Sequence, residues 1–327
     1  MIRLRWTGLA LLLALTATGT VQAHGDQAAR LSPQNWWHAW NWDIPLLALL
    51  AVVGWRYTHG VLSLWRRAGV GRGVQRWQLV TFWIGLELLF IALVSPLDPL
   101  GETLLSAHMV QHMVLMLGAA PLLVLGATPA ALAWAVPRAW RRGIGRWWHR
   151  QAGLRGLWSL ANRPLVAWSV FAVVLWGWHA PALYEASLRS ETAHILMHAS
   201  FLAASLLFWW VALQPGARKP RWRGGAVLFI FTTSVQSGLL GALMTFSSTI
   251  WYSEYVPLIA PWGLTPLEDQ QLAGLIMWVL GGMLFTIPAL AVLGQWLNAV
   301  EQDDRLGEPA WRAESSIRPS SDHALGR

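Results

Sequence analysis

The sequence predicts an all-α polytopic membrane protein, a seven-transmembrane helix bundle with its N-terminus outside and its C-terminus in the cytoplasm. Of the 327 residues, 55% are hydrophobic and only 12% are charged, whereas about a quarter are charged in ordinary soluble domains. Tryptophan occurs 25 times, and aromatic side chains concentrate where a membrane meets water. Basic residues are concentrated in every second loop between apolar stretches, which is typical of a multi-pass membrane protein.

The N-terminal residues 1–23 have the pattern of an export signal peptide. Two arginines precede an apolar run, and a small-residue cleavage pattern ends at Ala23. The run is shorter than the roughly 20 residues that a span needs, which argues against an uncleaved anchor. A short periplasmic segment, residues 24–43, follows. Cleavage after Ala23 would give His24 a free amino group beside its imidazole, and the two together could bind copper as a bidentate ligand. The alternative is that His24 is simply the start of a flexible leader.

Residues 44–297 form the predicted bundle. Each apolar stretch is expected to be helical, because an unpaired backbone group in hydrocarbon costs several kcal/mol. Residues 298–327 mix charges and prolines with little to bury, and we expect them to form a disordered cytoplasmic tail. The predicted spans are 44–63, 77–96, 105–127, 164–183, 192–213, 225–247 and 271–297.

The loop charges predict how the bundle is oriented. The loops after the first, third and fifth spans carry most of the arginines, and the alternate loops carry mainly carboxylates. By the positive-inside rule the mature N-terminus lies outside a bacterial inner (plasma) membrane. This topology accounts for the net charge of +8, because most basic residues lie in the cytoplasmic loops. Membrane lipid is therefore the expected partner. Nucleic acid is excluded, since the basic residues form no single patch.

Five histidines are predicted to lie at one depth, near the outer ends of three spans. Four of them form i, i+4 pairs, which place two imidazoles on one helical face about 6 Å apart along the axis. Each histidine alone could simply bond a neighbouring helix near the wet interface, but together they favour one shared metal site. The chain has no cysteine, which excludes thiolate-bound zinc and iron–sulfur clusters. The predicted ligands are His108, His112, His179, His194 and His198.

Methionine is the second signal for a metal. Met116 lies four residues after His112 and is predicted as a further ligand. Thioethers together with imidazoles suit copper, above all Cu(I), although methionine at helical spacing is also common packing filler. Asp98 and Glu102 lie just before the third span, where their carboxylates would help to attract a cation. The alternative is that they are simply charged residues of a solvated loop. Three more methionines lie near the two pairs: Met109, Met113 and Met197.

Two charged residues fall at mid-membrane depth, Arg56 in the first span and Glu87 in the second. Intramembrane charges usually face the bundle interior and pair with one another. We therefore expect an ion pair that braces the two spans, with a proton path as the alternative.

Several short runs resemble one known family. The H-M-V-Q-H run of residues 108–112, the W-H-A-P-A-L-Y run of residues 178–184 and the histidines of residues 194–198 resemble the multi-spanning CtaG family of cytochrome c oxidase assembly factors. The resemblance extends over roughly residues 44–297. It implies an inner-membrane protein that is not an enzyme and that helps to produce active haem–copper oxidase by handling copper on the outer side. The implied partners are cytochrome c oxidase subunits and periplasmic copper chaperones, and the five histidines above occupy the family's histidine positions.

Two other functions compete with copper-assisted assembly. A b-type haem electron carrier fits less well, because axial ligands normally come from facing helices and i, i+4 pairs would place two haems only about 6 Å apart. A copper transporter would need ligands that continue inward. The inner half offers only His59 and a polar cluster in the sixth span, Thr232, Thr233, Gln236 and Ser237.

Overall fold

The computed structural model describes residues 31–213 and 220–307. Within these ranges every regular element is helical, which confirms the all-α prediction. The predicted signal peptide, His24 and the end of the predicted tail lie outside the described residues.

The first two long helices begin and end where local chemistry requires it. Helix α1 (Ile44–Ala68) starts at Asp43, whose carboxylate accepts a hydrogen bond from the amide of Leu46 at 3.2 Å, and such a cap satisfies an otherwise unpaired donor. It stops at Gly69, whose φ of 94° is the left-handed backbone that glycine adopts freely. Helix α2 (Arg76–Val94) ends just before Pro96.

Helices α3 to α5 follow with only short breaks, at Leu104 and at residues 127–128. Helix α3 (Leu97–Thr103) is short and leads directly into α4, whose three parts are Leu105–Met113, a π-helical segment Val114–Ala119, and Ala120–Gly126. Helix α5 (Pro129–Ala135) then packs against α1. Single π-helical turns are frequent at functional sites, and this one begins two residues after His112.

The basic loop after the third span consists of two helices, α6 (Arg138–Arg150) and α7 (Ala152–Ala161). In α6 the arginines alternate with Trp140, Ile144 and Trp147, all of them exposed. A basic helix with exposed tryptophans is typical of the membrane interface. The number of arginines in this segment predicts only a cytoplasmic loop, whereas the spacing of Trp140, Ile144 and Trp147 indicates that the segment is helical.

Helix α8 (Pro164–His179) is shorter than the predicted span 164–183. The structure ends it at His179, because Pro181 begins a separate helix, α9 (Pro181–Arg189). Its 16 residues extend about 24 Å at 1.5 Å per residue, less than the roughly 30 Å of a hydrocarbon core. Helix α7 precedes it at a bend of 78°, and only together are the two helices long and apolar enough to count as one broken span.

Three long helices complete the bundle: α10 (Glu191–Leu213), α11 (Pro220–Thr245) and α12, which comprises Pro266–Leu275, the π-helical Ile276–Leu280 and Gly281–Gly307. The final helix therefore continues beyond 297, where the sequence predicts that a disordered tail begins. By length and hydropathy six described helices could cross a membrane, or seven if α7 and α8 form one bent span. This agrees with the predicted multi-pass bundle.

Helix α4 lies at the centre of the bundle. The apolar stretch of α4 is 61% buried, compared with 22% for α1. Helices α2, α10 and α12 pack around it, and the indole of Trp209 on α10 donates to the Met116 carbonyl at 2.9 Å. Side chains on α4 are therefore shielded from lipid by protein on several sides.

The predicted ion pair between Arg56 and Glu87 is wrong. In the described part of the chain the Arg56 guanidinium instead donates two hydrogen bonds, at 3.1 and 2.6 Å, to the carbonyl of Ala135, while Glu87 lies on the exposed face of α2. Ala135 is the last residue of α5, and the carbonyls at a helix C-terminus lack partners within the helix. Arg56 is satisfied by this helix end rather than by a carboxylate.

Candidate metal centre

The start of α4 is held by a residue from another span. The Asp269 carboxylate of α12 accepts hydrogen bonds from the amides of Leu105, at 2.7 Å, and Ser106, at 3.2 Å, and from the Ser106 hydroxyl. Asp269 is buried, and carboxylates are stabilising at helix N-termini. This contact fixes the first turn of α4, from which His108 projects.

His108 and His112 face each other on successive turns of α4. Their Nε2 atoms lie 2.9 Å apart, and both side chains are buried. His108 Nδ1 donates to the Gly101 carbonyl at 3.3 Å, so a neutral His108 carries its proton there and its Nε2 is an acceptor. His112 Nδ1 has no hydrogen-bond partner among the described residues.

The two histidines of α10 meet this pair. The ring centroid of His198 lies 5.5 Å from that of His108 and 5.3 Å from that of His112. The His194 ring lies 4.4 Å from His198 and 5.8 Å from His108. The i, i+4 pairs of the two helices therefore come together as one cluster.

His179 lies at the edge of the cluster, at the end of α8. Its ring centroid is 6.3 Å from that of His112. Nδ1 donates to the Leu175 carbonyl at 2.7 Å, while Nε2 is buried with no partner among the described residues. A histidine bonded through one nitrogen presents the other as an oriented ligand. His179 belongs to neither group of converging ligand atoms among the described residues.

Ligand atoms converge in two groups of three. One group is His108, His112 and His198; the other is Asp98, His194 and His198. Within each group the candidate ligand atoms all lie within 4.8 Å of one another. His198 belongs to both groups, and its Nε2 is buried without a hydrogen-bond partner in the described chain.

Met116 lies one turn further along α4 than His112. Its side chain lines a small void together with Met113, Met277 and Leu175. Leu175 is also the residue whose carbonyl accepts from His179. The three methionines therefore surround a void on the inward side of the cluster, and Leu175 separates this void from His179.

A polar layer surrounds the outer side of the cluster. Asp98 accepts hydrogen bonds from the Gln111 amide at 2.7 Å and from Asn41 at 2.8 Å. Close to it, burial raises the pKa of Glu102 to about 8, and the negative charges of Asp98 and Glu191 contribute to the rise. Carboxylates thus collect at the end of the bundle where the loop charges predict the outside.

Three tyrosines close the same end. Tyr255 donates to the Gly101 carbonyl at 2.9 Å, so the hydroxyl of Tyr184, 3.1 Å away, donates to Tyr255. Tyr252 donates to the His179 carbonyl at 2.8 Å. Burial raises the pKa of Tyr184 and of Tyr255 well above the ordinary value, so both remain hydrogen-bond donors.

Several of these positions have no clear signal in the sequence. Asp98 is predicted only to gather a cation, yet it lies within ligand distance of His194 and His198. Gln111 stands inside the H-M-V-Q-H run, and Tyr184 ends the W-H-A-P-A-L-Y run, so both are visible in the motifs. Asp269 and Tyr255 are distant in sequence from every histidine, and only folding brings them to the site.

Comparison with known proteins finds two similar curated chains. One is from Mycobacterium bovis and the other from Mycobacterium tuberculosis, and each is 28% identical to this chain over 274 residues. Both are named only as uncharacterized proteins, and the match covers 82% of this chain but 40% of theirs. The chain thus spans about two fifths of the length of these relatives.

No solved structure is significantly similar to the chain. The family model described as cytochrome c oxidase caa3 assembly factor matches residues 55–299. That range includes all five histidines, Met116 and Asp98. The chain belongs to the Caa3_CtaG family of cytochrome c oxidase caa3 assembly factors and is a multi-pass membrane protein.

Proposed function

We propose that this protein binds copper, as Cu(I), in the histidine cluster and assists metallation of a cytochrome c oxidase. The observation that carries the proposal is the convergence of His108, His112 and His198, whose candidate ligand atoms lie within 4.8 Å of one another. Burying three imidazoles side by side is costly unless each finds a partner. A bound cation would supply the partner that the Nε2 of His198 lacks.

The donor set suits a soft cation better than a hard one. Magnesium and calcium prefer carboxylate, carbonyl and water oxygens, whereas imidazole suits copper and thioethers select Cu(I). Three thioethers, those of Met113, Met116 and Met277, surround a void one helical turn further along α4 than His112. Neutral ligands also allow release, because no charged thiolate must be displaced when the ion leaves.

Membership of the oxidase assembly family supports cytochrome c oxidase as the recipient of the copper ion. In the proposed role copper is cargo: periplasmic copper chaperones supply it, and cytochrome c oxidase subunits receive it. The protein itself carries out no bond-making chemistry in this scheme. It holds the ion at the outer end of the bundle until a partner with more ligands removes it.

The packing disfavours the two competing functions. His112 packs against His108, with ring centroids 4.3 Å apart, and against Phe201 at 4.6 Å, which leaves no flat gap for a macrocycle between these rings. For a transporter, His59 would have to lie on an inward path. It is exposed on α1 and packs beside Trp55 instead.

The test replaces one ligand while retaining its size. His112→Gln keeps an amide that can donate to His108 Nε2, so the protein should still insert and accumulate. Without that imidazole it should bind Cu(I) more weakly by at least about 100-fold, since losing even an outer-shell partner costs about 10–100-fold. The exposed His59→Gln is the matched control and should bind like the wild type.

Cells carrying each variant report the consequence for the oxidase. At low copper, His112→Gln should yield oxidase that is made but lacks copper and activity, with partial rescue by added copper through mass action. Normal oxidase activity at low copper would contradict the proposal. A variant that fails to accumulate would assign His112 a structural role.

A further inference from the structure

The histidine cluster contains two overlapping ligand groups rather than one. The first, His108, His112 and His198, is buried: these side chains are 0%, 1% and 7% exposed. The second replaces His108 and His112 with Asp98 and His194, and His194 is only half-buried. The two groups share His198. An ion in one group therefore lies beside the ligands of the other.

We infer that a single copper ion occupies these two groups in succession, arriving at Asp98, His194 and His198 and moving to His108, His112 and His198 while His198 remains bound. This inference rests on the proposed function and adds a direction to it. Asp98, His194 and His198 form the outer position, and His108, His112 and His198 form the storage position. The move exchanges two ligands for two others and changes neither the oxidation state nor the number of protein ligands.

The ligand types make the move favourable. The outer position offers a carboxylate, a hard ligand that holds Cu(I) poorly, with two imidazoles. The storage position offers three imidazoles, with a fourth, His179, 6.3 Å from His112 between ring centroids. Asp98 is itself buried, at 8% exposed, so the half-buried His194 is the part of the outer position open to an arriving ion. Softer ligands bind Cu(I) more tightly, so the ion passes from a weaker position to a stronger one whose three ligands are all buried.

The surroundings of Asp98 link the two positions. Gln111 lies between His108 and His112 in sequence and donates both to Asp98 at 2.7 Å and to the Ala92 carbonyl at 2.8 Å. The carboxylate is therefore held against the face of α4 that carries the storage ligands. Because the carboxylates of Asp98 and Glu191 lie close together beside Glu102, the outer end attracts cations, which raises the rate of arrival more than the final affinity.

The experiment separates affinity from loading rate in the purified full chain. Cu(I) is supplied as a complex with a chromophoric chelator, whose absorbance reports both the rate of transfer and the equilibrium. For the outer position, Asp98→Asn should slow loading about tenfold or more, because it removes a charge and charge focusing raises on-rates by about 10-fold to 1,000-fold. His194→Gln should also slow loading, because it removes the half-buried ligand that receives the ion first. Both variants should change the equilibrium affinity by less than about threefold.

The storage position should behave in the opposite way. His112→Gln should load as fast as the wild type but bind at least about 100-fold more weakly, and His198→Gln should lose both rate and affinity. The wild type should take up one ion per chain. His59→Gln controls for histidines outside the cluster, and the size of each variant in gel filtration controls for folding.

Three results would overturn the inference. Two ions bound per chain would mean two independent sites. Equal losses of affinity in His194→Gln and His112→Gln, with unchanged loading rates, would mean one four-histidine site. A wild-type protein that takes up no Cu(I) would reject the proposed function itself, so the two failures are distinguishable.

Discussion

The carboxylate of Asp269 accepts a hydrogen bond from the backbone amide of Leu105 at 2.7 Å, across 164 residues of sequence. It thereby caps the helix that carries His108 and His112 from a span at the other end of the chain. The histidine cluster consequently depends on the packing of α12 against α4, although no residue of α12 belongs to either ligand group.

Replacing this cap should destabilise the bundle. Asp269→Asn leaves one oxygen where two accepted hydrogen bonds, and hydrogen bonds to charged groups contribute about 1.5–3 kcal/mol each. We expect a lower melting temperature in detergent and weaker Cu(I) binding together. Glu268→Gln, a neighbouring exposed carboxylate that caps α12 itself, is the control and should cost less. Equal melting temperatures for Asp269→Asn and the wild type would contradict this role.

Gly101 is a position where any side chain should disturb the cluster. A Cβ there would lie 3.0 Å from Gln111 Oε1 and 3.2 Å from His108 Cα, so Gly101→Ala should push α3 away from α4 and cost about 1–3 kcal/mol by overpacking. At Gly177, two residues before His179, an added Cβ would meet no described atom within 4 Å. Gly177→Ala should therefore be neutral or slightly stabilising. Thermal melts and Cu(I) titrations of both variants check the contrast.

The raised pKa of Glu102 predicts a pH dependence of stability. Burial raises the pKa of this carboxyl from 4.5 to about 8, so between these two values the folded protein retains a proton that the unfolded chain has lost. The unfolded state then binds fewer protons, and the free energy of unfolding falls as pH rises through this window. Above about pH 8 the dependence should level off.

Glu102→Gln removes this group and should flatten the curve. Melting temperatures measured from about pH 6.5 to about pH 9 should fall for the wild type relative to Glu102→Gln up to about pH 8, and then run parallel. Both proteins contain the same histidines, so histidine titration cancels in the difference between the two curves. Parallel curves over the whole range would show that Glu102 titrates normally.

The orientation of the bundle can be tested by reporter fusions. The loop charges predict that Glu185 lies outside and Arg142 inside. A periplasmic phosphatase fused near Glu185 should be active, and one fused near Arg142 inactive. The reverse pattern would place the histidine cluster at the cytoplasmic end and reject delivery from the outer side.

The amino-acid sequence by itself determined the membrane class, the helical secondary structure and the residues of the cluster. Apolar runs of about 20 residues can only be helices in lipid, and i, i+4 spacing places both imidazoles of a pair on one face whatever the partner helix is. His108, His112, His194 and His198 could therefore be identified from local periodicity alone. The family motifs lie in the same short runs, and the family model confirms the resemblance.

The tertiary structure decided how those local elements meet. Arg56 bonds to Ala135 instead of Glu87, because equal depth in two spans does not fix which faces are turned toward each other. Asp98 joins His194 and His198, and Asp269 caps α4, through contacts between segments that are far apart in sequence. Helical periodicity shows which residues share a face of one helix. The rotation of that helix and the neighbours that its faces meet depend on packing against all the other helices.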